Sequence, residues 1–298
     1  MRRVLTIIIC FLIAAVFSCR KEIPFNAEIT TPKLVVNSLF ASDSTWAVHV
    51  SRSLSVIDQG SLDNIENATV VISDASGAVV ETLTYDGYGN YVGTQSPQVG
   101  QLYRVDVAAP NYVPVYGSDV VPNAVNVQSL DTMSNTVGEE DLLTVQIVFK
   151  DPPGVRNYYR FAVEMGYWEI FEDFSGGIDS TYYEEQMWIL LNDPSFEGSG
   201  NNSWRDSGIM TDLLFDGQTK TVDIPVSNWF YEFLDIRIEF VDVYFSNVSE
   251  SSHYYNRSFQ LYQETQGNPF AQPVQVFSNI TNGFGIFGGT YTEIHRVN

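Results

Sequence analysis

A mainly β protein is what this sequence predicts: an N-terminal immunoglobulin-like β-sandwich followed by a larger antiparallel β-sandwich or barrel-like domain with one short helix. Three observations lead there. Aromatic residues make up 14% of the 298 residues, including 17 Tyr and 19 Phe, and with Val, Ile and Thr they fit a pleated, half-buried surface. Apolar and polar residues alternate with period two in short runs, as in Tyr103-Arg104-Val105-Asp106-Val107. Turn signals such as Asp74-Ala75-Ser76-Gly77, Asp86-Gly87 and Gly89-Asn90 recur at roughly the 8–12-residue spacing of a sandwich.

Residues 1–18 have the layout of a bacterial signal peptide. Arg2 and Arg3 supply the charge, and Val4 to Phe17 is an apolar run broken only by Thr6. That run is shorter than the roughly 20 residues that span a bilayer. It ends in Val16-Phe17-Ser18-Cys19, which resembles a lipobox, so Cys19 is the expected lipidation site. Phe17 is bulkier than the usual residue there. An uncleaved anchor and an ordinary signal peptide are the competing readings. The chain has 2 Cys. Cys10 leaves with the leader and lipid consumes Cys19, so no disulfide, thiol nucleophile or Cys metal site is expected. Residues 19–32 show no periodicity and contain Pro24 and Pro32, as a tether would.

Residues 33–122 are expected to form the first sandwich. Its strands are Lys33 to Phe40, Trp46 to Arg52 with Trp46, Val48 and Val50 on one face, Thr69 to Ser73, Val79 to Thr84, and the run around Tyr103. Pro110, Pro114 and Pro122 mark its exit. Residues 123–298 are expected to form the second domain. Leu143, Val145, Ile147 and Phe149 alternate with polar neighbours. Tyr158 to Phe171 reads as one long aromatic strand, with Tyr182 to Leu191 pairing back through Gly176-Gly177. Asp193 to Asp212 and Ser129 to Glu140 read as polar loops. Leu234 to Phe245 is a strand with Leu234, Ile236, Ile238 and Phe240 inward. Ser252 to Gln263 is a helix, capped by Ser252, with a stripe of Tyr254, Tyr255, Ser258, Leu261 and Tyr262.

Charge narrows the partners. There are 15 Lys+Arg against 36 Asp+Glu, a formal net charge of −21. Such a surface repels nucleic acid and does not dock on anionic lipid through a basic patch, so membrane attachment runs through the lipid anchor alone.

Catalytic patterns are sparse. His49, His253 and His295 are scattered, with no zinc-hydrolase spacing, nucleophile elbow or phosphate loop, and no cofactor or metal is expected. The acidic clusters Glu139-Glu140-Asp141, Glu172-Asp173 and Glu184-Glu185 read as a solvated anionic surface. Calcium and glycosidase chemistry are the alternatives, and sequence-adjacent acids on a strand point to opposite faces. Aromatic clusters are the main binding feature. Trp168, Trp188 and Trp204 are the candidate partner contacts, Trp204 because it lies in the polar stretch Gly198 to Trp204. A glycan or a peptide is the ligand such platforms fit. Ser44, Thr132 and Ser180 follow Asp in short patterns that resemble a Bacteroidota O-glycosylation site.

The C-terminal stretch Asn268-Pro269-Phe270, Pro273-Val274, Ser278-Asn279-Ile280, Asn282-Gly283 and Gly285-Ile286-Phe287-Gly288 is distinctive. With Pro32 to Asn37, Asn67 to Val70, Asn157 to Arg160 and Tyr254-Tyr255, it resembles a Bacteroidota outer-membrane lipoprotein family catalogued as domain of unknown function 4249. The resemblance implies an outer-membrane lipoprotein with a TonB-dependent receptor as partner, and no established catalytic residue. The expected role is therefore a non-enzymatic accessory binding component of an uptake system. A surface glycan or peptide hydrolase and an adhesive or envelope-assembly component are the alternatives. The glycines around Phe284 to Phe287 fit a structural closure of the second domain.

Overall fold

The computed structural model describes residues 31–55, 63–137, 140–172, 176–197, 203–227, 235–268, 270–272 and 274–297. The expected leader, Cys19 and the expected tether through Thr30 lie outside the described residues. The chain divides into two units, Met1–Thr31 with Leu54–Ser61 and Pro32–Ser53 with Leu62–Asn298; every strand below belongs to the second. Among the described residues no helix is long and apolar enough to cross a membrane.

The protein is mainly β. The first third forms β1 (Leu34–Ala41), β2 (Ala47–Arg52), β3 (Thr69–Asp74), β4 (Val79–Thr82), β5 (Thr84–Gly87), β6 (Asn90–Val92), β7 (Leu102–Ala108) and β8 (Val115–Val120). The remainder forms β9 (Asn126–Val137), β10 (Glu140–Lys150), β11 (Tyr158–Glu172), β12 (Ile178–Met187), β13 (Ile189–Leu191), β14 (Ser203–Arg205), β15 (Gly208–Thr211), β16 (Thr219–Pro225), β17 (Asp235–Val248), helix α1 (Glu250–Thr265) and β18 (Phe284–Val297). One sheet runs β12-β11-β17-β18-β1-β2-β6-β5, with β15 also on β11. Separate sheets run β4-β3-β7-β8, β16-β10-β9 and β13-β14.

Two hydrophobic cores result, each between a stretch of the long sheet and a smaller covering sheet. The first gathers Leu34, Val36, Trp46, Val48 and Val50 against Val70, Ile72, Val105 and Val107. Alternation puts these side chains inward, and Trp46 is 0% exposed. The second gathers Val145, Ile147, Phe149, Val222 and Ile224 against Tyr159, Phe161, Val163, Val243 and Phe245. The first core runs from Leu34 to Val121 and also takes in Ile280 and Phe287 from the far end of the chain, while the second begins at Val125, so the cores do not divide the chain at residue 122 alone.

The long sheet also crosses that boundary, because β18 lies parallel to β1 on one side and antiparallel to β17 on the other. The glycine-rich motif makes this possible. At Gly285 the φ of +109° is one that L side chains rarely adopt, and a Cβ there would run into the Val36 carbonyl. Asn279 stands in for a paired backbone: its Oδ1 accepts from the Phe287 N–H at 2.9 Å and its Nδ2 donates to the Phe287 carbonyl at 2.7 Å. The motif thus closes both halves together.

Four local expectations need correction. Ser249, with extended backbone, caps α1: its Oγ accepts from the Ser252 N–H, which puts Ser252 inside the first turn. The aromatic stripe of α1 does not face a core; Tyr254, Leu261 and Tyr262 are exposed, and the buried residues are Ser252 and His253, because the helix docks by its first turn. Ser129 to Val137 is strand, not loop: it pairs with β10 through its backbone, which needs no apolar side chains. Within the expected loop from Asp193 to Asp212, residues 203–205 and 208–211 are strands, and Met210 is fully buried beside β11.

Candidate functional site

The long sheet outruns its cover at one end. Strand β17 pairs with β18 only from Val241 onward, yet it continues along β11 back to Asp235. Residues 166–172, 178–185 and 235–240 therefore form a three-stranded arm beyond β18. Another departure from expectation lies here: Ile238, expected inward, is 39% exposed, although Tyr167 opposite it is buried in the second core.

One face of the arm is a built aromatic surface. Trp168 lies opposite Tyr182, their rings 5.2 Å apart. The Trp168 Nε1–H donates to Glu239 at 2.6 Å, and the Tyr182 hydroxyl donates to Glu184 at 3.3 Å. Gly166 sits beneath them: a Cβ there would run into the Phe240 ring and come within 2.6 Å of the Tyr182 hydroxyl. The Arg296 guanidinium covers Phe240 at 3.6 Å and forms a two-pronged pair with Asp242. On the other face Tyr167 stacks on Tyr183 at 5.6 Å and donates to Glu185 at 3.4 Å. Burial and then the Glu185 charge push the Tyr167 hydroxyl up to about 12. Glu184 and Glu185 thus occupy opposite faces of one strand.

The other candidate residues lie apart from this surface in the chain's pairing. Trp188, 56% exposed, falls between β12 and β13, where its carbonyl accepts from Ser227 N–H. Trp204 is half-buried in β14, opposite Leu190. Ser44 is exposed in the turn after β1, Thr132 is exposed in β9 opposite Val145, and Ser180 is exposed in β12 opposite Ile170. Cys19 lies outside the described residues.

Two clefts flank α1. One, of about 620 Å³, is lined by Asn123, Arg156, Tyr158, Asn247, Glu250 and Tyr254. The other, of about 670 Å³, lies between α1 and the 194–214 segment, with Glu197, Arg205, Leu214, Arg257 and Leu261 in its wall. Buried His253 lies between elements of both: its ring packs 4.5 Å from Tyr158, and its Nε2 is 3.0 Å from Glu197. Burial works to raise the Glu197 carboxyl, but the hydrogen bond with His253 and the Arg257 charge hold it below the ordinary range.

Near the first cleft, Asp119 ties three elements together. It accepts from the Ser249 hydroxyl and from the Gly289 N–H, joining β8, the α1 cap and β18. Burial pushes its carboxyl up to about 6, against the pull of those hydrogen bonds.

Asp151, Asp212 and Asp216 bring one oxygen each within 4.8 Å of one another, close enough to hold a divalent cation. Protein groups already engage this set. Asp151 accepts from the Tyr159 hydroxyl and Gly217 N–H, Asp212 from Asn157 N–H with Arg156 3.1 Å away, and Asp216 from Gly154 N–H. The cluster clasps the 151–157 and 212–217 loops. Sequence reading missed it because its members are distant along the chain. It likewise missed the Asp119 joint, where only an acid in a strand was visible.

Comparison with curated proteins finds no match. The family described as Domain of unknown function (DUF4249) matches residues 20–293, and the chain belongs to that family.

Proposed function

We propose that the protein is a Bacteroidota outer-membrane lipoprotein, held by acyl chains on Cys19, that acts by binding as an accessory component of a TonB-dependent uptake system. The observation that carries this reading is one face of the arm: Trp168 and Tyr182, locked in place by Gly166, Glu239 and Glu184, are left outside both cores. Aromatic residues held rigid at a surface provide contact area at little ordering cost. The cleft of about 620 Å³, with amide, carboxylate and tyrosine walls, falls in the range of roughly 300–1,000 Å³ of small-ligand sites and fits a glycan or peptide.

Co-purification from detergent-solubilised outer membrane tests the role. A TonB-dependent receptor is expected with the protein; a lone monomer in every growth condition rejects the reading. The anchor is tested separately. Cys19→Ala is expected to shift the protein from the membrane pellet to a soluble or unprocessed fraction, since each buried methylene of an acyl chain contributes about 0.8 kcal/mol. Intact mass of protein from the native host shows whether Ser44, Thr132 or Ser180 carries a glycan.

A further inference from the structure

We propose that the open edge of β12 docks an extended, Lys- or Arg-bearing segment of a partner protein as an added strand. This deepens the binding reading above by naming the surface and the partner's chemistry. Strand β12 ends the long sheet. It pairs with β11 in unbroken register from Val163↔Met187 to Glu172↔Ile178. Among the described residues no strand pairs with its other edge. That edge presents a row of backbone donors and acceptors, the template for strand addition. Edge strands are commonly blunted by shortness, Pro, Lys or a bulge. Strand β12 has 10 residues, contains neither Pro nor Lys, and is exposed along its length except at Met187.

Charge selects the occupant. The arm's strands carry Glu169, Glu172, Asp179, Glu184, Glu185, Asp235 and Glu239 against Arg237, with Arg296 of β18 beside them and paired to Asp242. A second copy is disfavoured: β12 has three acids and no base, so self-pairing brings two acidic strands together and adds no positive charge. A basic strand reverses every term. Its Lys or Arg side chains would lie beside Glu184 on one face and Glu185 on the other, within reach of the Tyr182 and Tyr183 rings. Trp168 and Gly166 hold Tyr182 in place beforehand, so little ordering is left for the moment of binding.

The test uses the mature chain and fluorescence anisotropy with labelled decapeptides alternating Lys-Lys with Val-Val, which present Lys on both faces of an extended strand. The Lys peptide is expected to bind and to weaken severalfold as salt rises. Replacing its Lys with Glu, or N-methylating alternate amides, is expected to cost at least tenfold. Glu184→Lys/Glu185→Lys is expected to lose the Lys peptide by at least tenfold and gain the Glu peptide. The charge-matched Glu66→Lys/Asp86→Lys, both exposed in the first third of the chain, is expected to leave affinity unchanged. Equal binding of methylated and unmethylated peptides overturns strand addition in favour of diffuse charge attraction. Undetectable Lys-peptide binding, or binding indifferent to Glu184→Lys/Glu185→Lys, overturns the site. A receptor that still co-purifies with that variant rejects the arm as its dock while leaving the binding role intact.

Discussion

The first core and the arm are built from the same residue types and end in opposite states. In the first core, Phe40, Trp46, Tyr103 and Phe287 pack with ring centroids 4.4–6.4 Å apart and at most 5% exposure. In the arm, Trp168, Tyr182 and Tyr183 pack at comparable distances yet remain open to water. Strand length makes the difference. Strands of the first third have 3 to 8 residues and lie under a covering sheet. Strands β11 and β17 have 15 and 14 residues and extend past the sheet that covers their inner ends. Excess length supplies a sheet without a second layer, and aromatic side chains there gain contact with each other but little burial.

The largest contrast should appear on deletion of a tryptophan. Trp46→Ala is expected to cost about 3–5 kcal/mol in urea unfolding, through lost burial and a residual cavity. Trp168→Ala, which removes a surface ring and one hydrogen bond to Glu239, is expected to cost less than about 1 kcal/mol. Similar losses at both positions would erase the distinction between core and arm.

The seam between the two halves should respond to pH. Burial raises the folded-state pKa of Asp119 from 3.8 to about 6, so the folded protein holds this proton more tightly than the unfolded chain. Its contribution is therefore full below about pH 4 and is lost as pH rises through about 6, amounting to about 3 kcal/mol. Asp119→Asn is expected to remove that slope from the pH dependence of unfolding. An unchanged slope would remove Asp119 from the seam.

Loss of the helix cap should be smaller. Ser249→Ala removes the acceptor for the Ser252 N–H and the hydroxyl that serves Asp119, with an expected cost of about 1–2 kcal/mol. The same substitution at Ser252 leaves the cap in place, so the two variants measured side by side separate capping from burial. Smallest of all is Trp204→Ala. As a half-buried residue in a three-residue strand apart from the arm, Trp204 is expected to leave both the melting temperature and peptide binding at the β12 edge nearly unchanged. Early melting would make it a structural plug over the second core.

Much of the β architecture was legible in the residues. Alternation at Trp46, Val48 and Val50, and again at Val145, Ile147 and Phe149, specified which side chains would be buried, because period two is a property of the strand itself. The turn at Gly87–Gly89 was equally local: it takes positive φ at all three residues, two of them Gly with Tyr88 between. The family motif was visible in the same way. Pairing was not. No local pattern said that β18 would enter between β1 and β17, since register with a strand some 250 residues away depends on which edges remain open after the rest has folded. Nor could periodicity distinguish a covered face from an uncovered one, which is why the α1 stripe was expected to pack. The sequence by itself determined strand, turn and face. Only the tertiary structure decided which faces found a covering layer, because burial is a property of two surfaces and a strand encodes one of them.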